Sequence, residues 1–267
     1  MKVQKNKLIV IAGPCVIEDK KSAFEVAGYL KKVMSRYPVN FIFKASFDKA
    51  NRTSLGSYRG PGIKEGLKIL GAIKEKLNIP ILSDVHWPQQ VEEVKDILDV
   101  IQIPAFLSRQ TDLIIAAAKT KKTINVKKAQ FMSPYDIKFV IEKITSTGNK
   151  KIFVTERGSC FGYNNLIVDF RSLLIMKGFG YPVIFDATHS LQRPSSDKGI
   201  SGGDREYIEP LSLAGLCCGA DGLFLEVHPE PQRARSDKAT SLALKKIENL
   251  IKKVLKIRGV VNEKAQK

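Results

Sequence analysis

The stretch Thr123–Thr145, TINVKKAQFMSPYDIKFVIEKIT, contains the pattern that decides the fold of this chain. A short run rich in β-branched residues, Thr123–Val126, is followed by polar residues and then by an amphipathic segment, Pro134–Thr145. Short β-branched runs bounded by polar residues are typical of strands, and apolar residues spaced by three and four are typical of helices. The stretch therefore predicts one strand–loop–helix unit.

The same unit recurs along the whole chain. The other predicted strands are Leu8–Ala12, Asn40–Phe43, Pro80–Leu82, Val100–Ile103, Lys151–Thr155, Pro182–Phe185 and Gly222–Leu225. The other helical patterns are Ser22–Arg36, Gly62–Leu77, Gln89–Ile97, Thr111–Lys119, Asn165–Met176, Arg205–Cys218 and Ser241–Leu255. Eight such alternations predict an α/β protein with one (β/α)₈ TIM-barrel domain over residues 1–267. A doubly wound open sheet is the alternative.

The composition narrows the class of protein. The chain has 267 residues, of which 43% are hydrophobic and 27% charged, as in ordinary globular proteins. No apolar run approaches the roughly 18 residues of a membrane span, and the run after Lys7 is too short for a signal peptide. Four cysteines without framework spacing do not predict disulfides. We therefore expect a cytoplasmic protein without a membrane partner.

The net charge of +17 raises the question of a nucleic-acid partner. The lysines are scattered over helical patterns, and no basic run is interleaved with aromatic residues. We therefore expect no nucleic-acid partner but a lysine-rich surface, whose field would attract small anions.

Polar side chains lie at or just after the end of every predicted strand. They are Cys15, Lys44, Asp84 with His86, Gln102, Lys127, Glu156 with Arg157, Asp186 with His189, and Glu226 with His228. The three histidines of the chain all belong to this set. Because the active site of a (β/α)₈ barrel lies where its strands end, the pattern predicts a reaction site at that face.

Several cations would converge on this face: Lys44, Lys49, Arg52, Lys127 and Arg157, with Gln130 nearby. Like charges in one cleft repel unless anions neutralise them. Arginine binds phosphate or carboxylate through two parallel hydrogen bonds, and lysine acts as a point charge. We therefore expect small-molecule substrates with several negative charges. In the alternative, each cation pairs with a local carboxylate such as Asp48.

Cys15, His189 and Glu226 would lie at the ends of strands one, seven and eight, which are neighbours in a closed barrel, and Asp237 follows in the next loop. A thiolate, an imidazole and two carboxylates suit a divalent ion such as Zn²⁺, Fe²⁺ or Mn²⁺. In the alternatives, Cys15 is a small buried apolar residue and His189 only donates or accepts hydrogen bonds.

Six blocks together resemble the family of 3-deoxy-D-manno-octulosonate 8-phosphate (KDO 8-phosphate) synthases, in its metal-dependent type. They are KASFDKANRTS (Lys44–Ser54), QIPAFLSRQTDL (Gln102–Leu113), NVKKAQF (Asn125–Phe131), TERGSCFGYNNL (Thr155–Leu166), DATHS (Asp186–Ser190) and LEVHPEP (Leu225–Pro231). The blocks span most of the chain in the order of the family.

The resemblance implies a homotetrameric barrel that condenses phosphoenolpyruvate with D-arabinose 5-phosphate, releasing phosphate, in making the inner sugar of lipopolysaccharide. The implied phosphoenolpyruvate site is Lys44, Ser46, Lys49, Ala105, Lys127, Gln130 and Arg157. The implied arabinose 5-phosphate site is Asn51, Arg52, Thr53, Asp84 and Arg109, the last reaching the sugar phosphate of a neighbouring subunit. The implied catalytic residues are Lys49, Asp84 and His86. The implied ligands of a divalent Zn, Fe, Mn or Co ion are Cys15, His189, Glu226 and Asp237.

Two other functions stay open at this point. The related 3-deoxy-D-arabino-heptulosonate 7-phosphate synthases use erythrose 4-phosphate and have Lys-Pro-Arg-Thr where this chain has Lys49-Ala50-Asn51-Arg52-Thr53. The asparagine favours the octulosonate family. A non-enzymatic sugar-phosphate or nucleic-acid binder is the more distant alternative. Three departures from the family are Thr53, where serine is usual, Asp204, where relatives tend to have a basic or apolar residue, and the segment after Asp237, which lacks the usual Leu-Pro step.

Overall fold

The computed structural model describes residues 3–4, 6–197 and 200–264. A closed barrel of parallel strands forms its centre: β1 (Leu8–Gly13), β2 (Val39–Lys44), β3 (Ile81–Asp84), β4 (Val100–Ile103), β5 (Thr123–Lys127), β6 (Ile152–Glu156), β7 (Val183–Asp186) and β8 (Gly222–His228). Each strand pairs with the next, and β8 pairs with β1 in the register Ile9↔Gly222. The predicted (β/α)₈ barrel is therefore confirmed, and the open sheet is wrong.

Helices alternate with the strands. They are α1 (Lys20–Met34), α2 (Ile63–Leu77), α3 (Gln90–Val94), α4 (Thr111–Lys119), α5 (Ile137–Thr145), α6 (Arg171–Lys177), α7 (Ile208–Cys217) and α8 (Ile247–Lys264). The first begins where the Asp19 carboxylate accepts a hydrogen bond of 2.8 Å from Ser22 N. In the described part of the chain, no helix is both long and apolar enough to cross a lipid bilayer.

The strands divide the apolar residues between two layers. In β1, Ile9 and Ile11 belong to an inner cluster with residues such as Phe224, whereas Leu8 and Val10 belong to the larger cluster between strands and helices. Successive side chains of a strand point to opposite faces, so one face fills the barrel and the other packs on the helices. This double burial explains why the strands are almost continuously apolar.

Two helices start later than their sequence patterns predict. In the pattern Ser241–Leu255, Leu242–Ala243 instead pairs with the end of β8, and α8 begins only at Ile247. Of the pattern Asn165–Met176, Leu166–Ile167 instead forms a short antiparallel ladder with Ser159–Cys160, and the helix begins only at Arg171. The connecting turn contains Gly162 with φ of +76°, a conformation that glycine adopts without strain. A second hairpin, Gln192–Asp197 with Ile200–Gly203, follows β7. Both hairpins extend from strand ends at the barrel mouth.

Gly13 brings the ends of the first two strands close together. A Cβ atom there would lie 1.9 Å from the carbonyl oxygen of Lys44, so only glycine fits. The pairing continues past the turn, because Ile17 N donates to Ser46 O at 2.9 Å. Cys15 is therefore held beside the end of β2.

Candidate active site

Because every second side chain of a strand points into the barrel, charged residues follow the inner apolar layer toward the carboxyl ends of the strands. Five of them lie two residues beyond a residue that faces the barrel interior, and so share its face: Lys44, Asp84, Lys127, Asp186 and Glu226. Between the two layers, the Asn125 amide donates to Gln102 Oε1 at 2.9 Å and accepts from Thr155 Oγ1 at 2.7 Å. The barrel interior thus changes from apolar to polar to charged toward the carboxyl ends of the strands.

A cavity of about 760 Å³ opens at this face. Most of the predicted site residues line it: Lys44, Lys49, Asn51, Arg52, Thr53, Asp84, His86, Ala105, Lys127, Gln130, Arg157, His189 and Asp237. Cys15 touches the lining, because its Sγ lies 2.9 Å from Asp237 Oδ2. Ser46 and Glu226 are buried next to Cys15 and Lys44. Arg109 is exposed and does not line this cavity.

Two of the lysines form buried ion pairs with carboxylates that are distant in sequence. Lys44 Nζ lies 3.0 Å from Glu226 Oε1, and Lys127 Nζ lies 2.5 Å from Asp186 Oδ2. Asp48 pairs with Arg59 instead of a site lysine. The alternative of local pairing is therefore wrong for these lysines, and the cations are held in place by the barrel itself.

Arg157 presents a guanidinium that is only half satisfied. Nη2 donates to Gln192 Oε1 at 2.8 Å, whereas Nη1 is buried without a hydrogen-bond partner. Burial lowers the pKa of Arg157, and the charges of Asp186 and Asp237 oppose that effect. A buried donor without an acceptor costs about 1–3 kcal/mol, so this group is prepared for an anion.

Unsatisfied polar atoms concentrate around the cavity. Among the described residues, nine buried side-chain atoms lack a hydrogen-bond partner, and six of them belong to the predicted site: Ser46, Asp84, His86, Gln130, Arg157 and Glu226. Buried polar groups in folded proteins are nearly always paired. The clustering therefore indicates a binding site whose ligands would complete these hydrogen bonds.

Asp84 and His86 form an acid–base pair on the cavity wall. His86 Nε2 lies 3.2 Å from Asp84 Oδ2, and the imidazole packs edge-on against Phe47. Burial alone would raise the pKa of Asp84, but the hydrogen bond and charge of His86, with the charge of Lys49, hold it well below its usual range. Asp84 is therefore ionised and able to accept a hydrogen bond from a hydroxyl group.

Cys15, Glu226 and Asp237 form a group that suits a metal ion, because their ligand atoms lie within 4.8 Å of one another. The fourth predicted ligand, His189, is not part of this group of three, but its Nε2 lies 3.2 Å from Glu226 Oε1 and 3.7 Å from Asp237 Oδ2. Its Nδ1 lies 2.7 Å from Asp186 Oδ2, the kind of carboxylate contact that orients metal-binding histidines. Burial, together with Asp237 and Glu226, raises the pKa of the Cys15 thiol well above its usual value. A divalent cation is the species that would reconcile these groups.

Three contributors to the site were not predicted. Gln192 bridges Arg157 and Asp237, donating to Asp237 Oδ1 at 2.7 Å. Ser236 Oγ lies 2.8 Å from Cys15 Sγ. Lys128 is fully buried and lies 3.5 Å from Glu156 Oε1, which also accepts hydrogen bonds from the amides of Arg157 and Gly158. Only Lys128 could have been suspected, because it follows β5 directly beside Lys127.

Replacement of Lys128 by methionine is expected to reduce the free energy of unfolding by about 3–5 kcal/mol, because it leaves the Glu156 carboxylate buried without its cation. Urea denaturation measures the change. Lys138→Met is the matched control, since Lys138 forms an exposed pair of 3.9 Å with Glu142, and a change within about 0.5 kcal/mol is expected there. Equal stabilities of the two variants would contradict a structural role for the Lys128–Glu156 pair.

Comparison with known proteins gives one consistent family. A family model described as the DAHP synthetase I family matches residues 1–263. A protein of Geobacter sp. (strain M21) is 54% identical over 256 residues, covering 96% of this chain and 94% of the relative. Proteins of Desulfotalea psychrophila and Fusobacterium nucleatum are each 52% identical, covering 96% of this chain and 91% and 92% of their own lengths. All three relatives are named 2-dehydro-3-deoxyphosphooctonate aldolase.

Proposed function

Because this chain belongs to the DAHP synthetase I family, we propose that it is an enzyme that condenses phosphoenolpyruvate with D-arabinose 5-phosphate and water. The products are 3-deoxy-D-manno-octulosonate 8-phosphate and inorganic phosphate. The observation that carries this function is the cavity at the strand ends, which is lined by cations and by polar atoms without hydrogen-bond partners. The chain that contains it is 54% identical to a 2-dehydro-3-deoxyphosphooctonate aldolase. The relatives favour this reaction over that of the heptulosonate synthases and confirm the family resemblance seen in the sequence.

In this function, the cations hold two anionic substrates in contact. Lys44, Ser46, Lys49, Ala105, Lys127, Gln130 and Arg157 bind phosphoenolpyruvate, and Asn51, Arg52, Thr53 and Asp84 bind the sugar phosphate. The unsatisfied Nη1 of Arg157 and Oγ of Ser46 support the first assignment, because both are buried donors that an anion would satisfy. Holding two reactants that repel each other in the geometry for attack lowers the activation barrier by roughly several kcal/mol, because the reaction between them becomes effectively intramolecular.

Carbon 3 of phosphoenolpyruvate attacks the aldehyde carbon of the sugar while water adds to carbon 2, and the resulting hemiketal phosphate loses phosphate by C–O cleavage. Lys49 sits among the carboxylates of Glu226, Asp84 and Asp237, which raise its pKa although burial opposes them, so it remains a cation beside the reacting groups. The Asp84–His86 pair moves the proton of the attacking water.

Cys15, His189, Glu226 and Asp237 would hold a divalent Zn, Fe, Mn or Co ion. Such an ion supplies Lewis-acid chemistry, orienting and polarising an oxygen of the bound reactants. The donor set and the unsatisfied Glu226 Oε2 support this assignment.

The setting of the enzyme follows from the same proposal. The product is the phosphorylated form of the inner sugar of lipopolysaccharide, made from small anionic metabolites in the cytoplasm. The family resemblance implies a homotetramer. Arg109, which is exposed and does not line the cavity of its own chain, would there reach the sugar phosphate bound by a neighbouring copy.

Phosphate release with phosphoenolpyruvate and each of two acceptor sugars tests the reaction. Arabinose 5-phosphate is expected to support turnover at least about 100-fold more efficiently than erythrose 4-phosphate, in kcat/KM. The longer sugar has a further hydroxyl, and a site that hydrogen-bonds a hydroxyl strongly rejects analogues lacking it. The Asn51 amide, which lines the cavity beside Arg52, is the group we expect to bind it. Similar efficiencies with the two sugars would move the assignment to a heptulosonate or dual-specificity synthase.

A further inference from the structure

Arg235, in the loop after β8, lies on the cavity wall together with Arg52, in the loop after β2. The two loops touch. Arg52 Nε donates to Tyr58 O at 3.0 Å, and Arg52 Nη2 donates to Arg235 O at 3.4 Å. Two guanidinium groups from different loops therefore belong to one part of the cavity wall.

The side chain of Arg235 is held in a defined position. Its guanidinium carbon lies 4.6 Å from the centre of the Tyr58 ring, and the Tyr58 hydroxyl is anchored on the carbonyl of Ile17 at 3.0 Å. Its backbone amide donates to Glu18 Oε1 at 2.7 Å. A guanidinium held over an aromatic face by cation–π attraction keeps N–H groups available for an oxyanion.

No carboxylate in the described ranges forms an ion pair with the Arg235 guanidinium. Two residues earlier, Arg233 lies 3.4 Å from Glu230 and does not line the cavity. The same loop thus contains one arginine neutralised at the surface and one directed to the cavity without an acidic partner. The second arrangement is the one that an anionic ligand would complete.

We propose that Arg235 binds the phosphate of the acceptor sugar together with Arg52. The inference rests on the proposed function and adds a residue to those that the family resemblance implies. In the proposed function, phosphoenolpyruvate is held by Lys44 and Lys127, the last residues of β2 and β5, and by Arg157, which directly follows β6. A second phosphate is kept apart from the first by charge repulsion, and the loops after β2 and β8 offer it a separate cationic wall.

Steady-state kinetics with both substrates tests the proposal on wild type, Arg235→Leu, Arg235→Lys and the control Arg233→Leu. Arg235→Leu is expected to raise KM for arabinose 5-phosphate about tenfold, with KM for phosphoenolpyruvate and kcat changed less than twofold. Arg235→Lys keeps the positive charge but loses the planar guanidinium. Its KM for arabinose 5-phosphate is expected to lie between those of Arg235→Leu and wild type. Arg233→Leu is expected to match wild type. Calorimetric titration with arabinose 5-phosphate in the absence of phosphoenolpyruvate measures its Kd for each variant without turnover.

The outcomes separate the inference from the function. If wild type turns over arabinose 5-phosphate normally but Arg235→Leu has unchanged KM and Kd for it, Arg235 is not a phosphate ligand and the proposed function stands. Equal losses for both substrates would also overturn the inference, because they indicate a general effect on the loop. A wild type that neither binds nor turns over arabinose 5-phosphate would overturn the function and the inference with it.

Discussion

Replacement of Arg157 by alanine is expected to raise KM for phosphoenolpyruvate about ten- to hundredfold. Charge-assisted hydrogen bonds contribute about 1.5–3 kcal/mol each, and each 1.4 kcal/mol corresponds to about a factor of ten. The guanidinium is buried, one nitrogen is bonded to Gln192, and another has no partner, so its main unfilled capacity is for a ligand. Lys127→Ala is expected to have an effect of the same size, because Lys127 is a buried cation that lines the same cavity.

The two variants differ in their expected cost to the fold. Loss of Lys127 removes the ammonium group that pairs with the buried Asp186 carboxylate, so some loss of thermal stability is expected. Arg157 has no carboxylate ion pair in the described part of the chain, and its removal should leave the melting temperature nearly unchanged. Measuring KM for phosphoenolpyruvate and the melting temperature of each variant separates an effect on binding from an effect on folding.

Arg171→Ala is the matched control, since Arg171 forms an exposed ion pair of 2.8 Å with Asp169 on the outer helix α6. Its KM for phosphoenolpyruvate is expected to equal that of wild type. Near-normal phosphoenolpyruvate affinity in both Arg157→Ala and Lys127→Ala would mean that these cations serve the structure of the barrel and not the substrate.

The fold was predictable because the two periodicities are local. A strand such as β4, Val100–Ile103, is preceded by Asp99 and followed by Pro104, and its range in the structure equals the predicted one. Prediction failed at Asn165–Met176, because the short ladder of Leu166–Ile167 with Ser159–Cys160 depends on pairing outside the segment. The spacing of apolar residues within a segment does not show whether that segment pairs with a distant one.

The site was predictable to the extent that barrel geometry places strand ends together. This rule gathers Lys44, Asp84 and Lys127 without any further information. It does not say which carboxylate each lysine meets, and the pairing of Lys44 with Glu226 emerged only from the closed barrel. Gln192 was missed for a related reason, since it lies in a hairpin after β7 whose position depends on tertiary contacts.

Chelation of the purified protein is expected to abolish phosphate release, and Zn²⁺, Mn²⁺, Fe²⁺ or Co²⁺ is expected to restore it. The reason lies in four side chains from the strand ends and the loop after β8. Cys15 Sγ lies 2.9 Å from Asp237 Oδ2, and Glu226 is buried with one oxygen unsatisfied. Without a metal ion, the Cys15 thiol donates to Asp237, and the second oxygen of Glu226 is left without a partner. With one, the thiolate, the imidazole and both carboxylates become compatible ligands.

Cys15→Asn separates the metal from the rest of the site, because asparagine offers a weaker ligand of similar size. This variant is expected to bind less metal by elemental analysis, and the activity it retains should be insensitive to chelation. Cys217→Asn is the matched control, since Cys217 is exposed at the end of α7 and should leave metal content unchanged. A Co²⁺-loaded wild type and control should show thiolate-to-metal absorption that Cys15→Asn lacks. Full activity of a metal-free wild type would rule out metal dependence, even though the four ligands lie together.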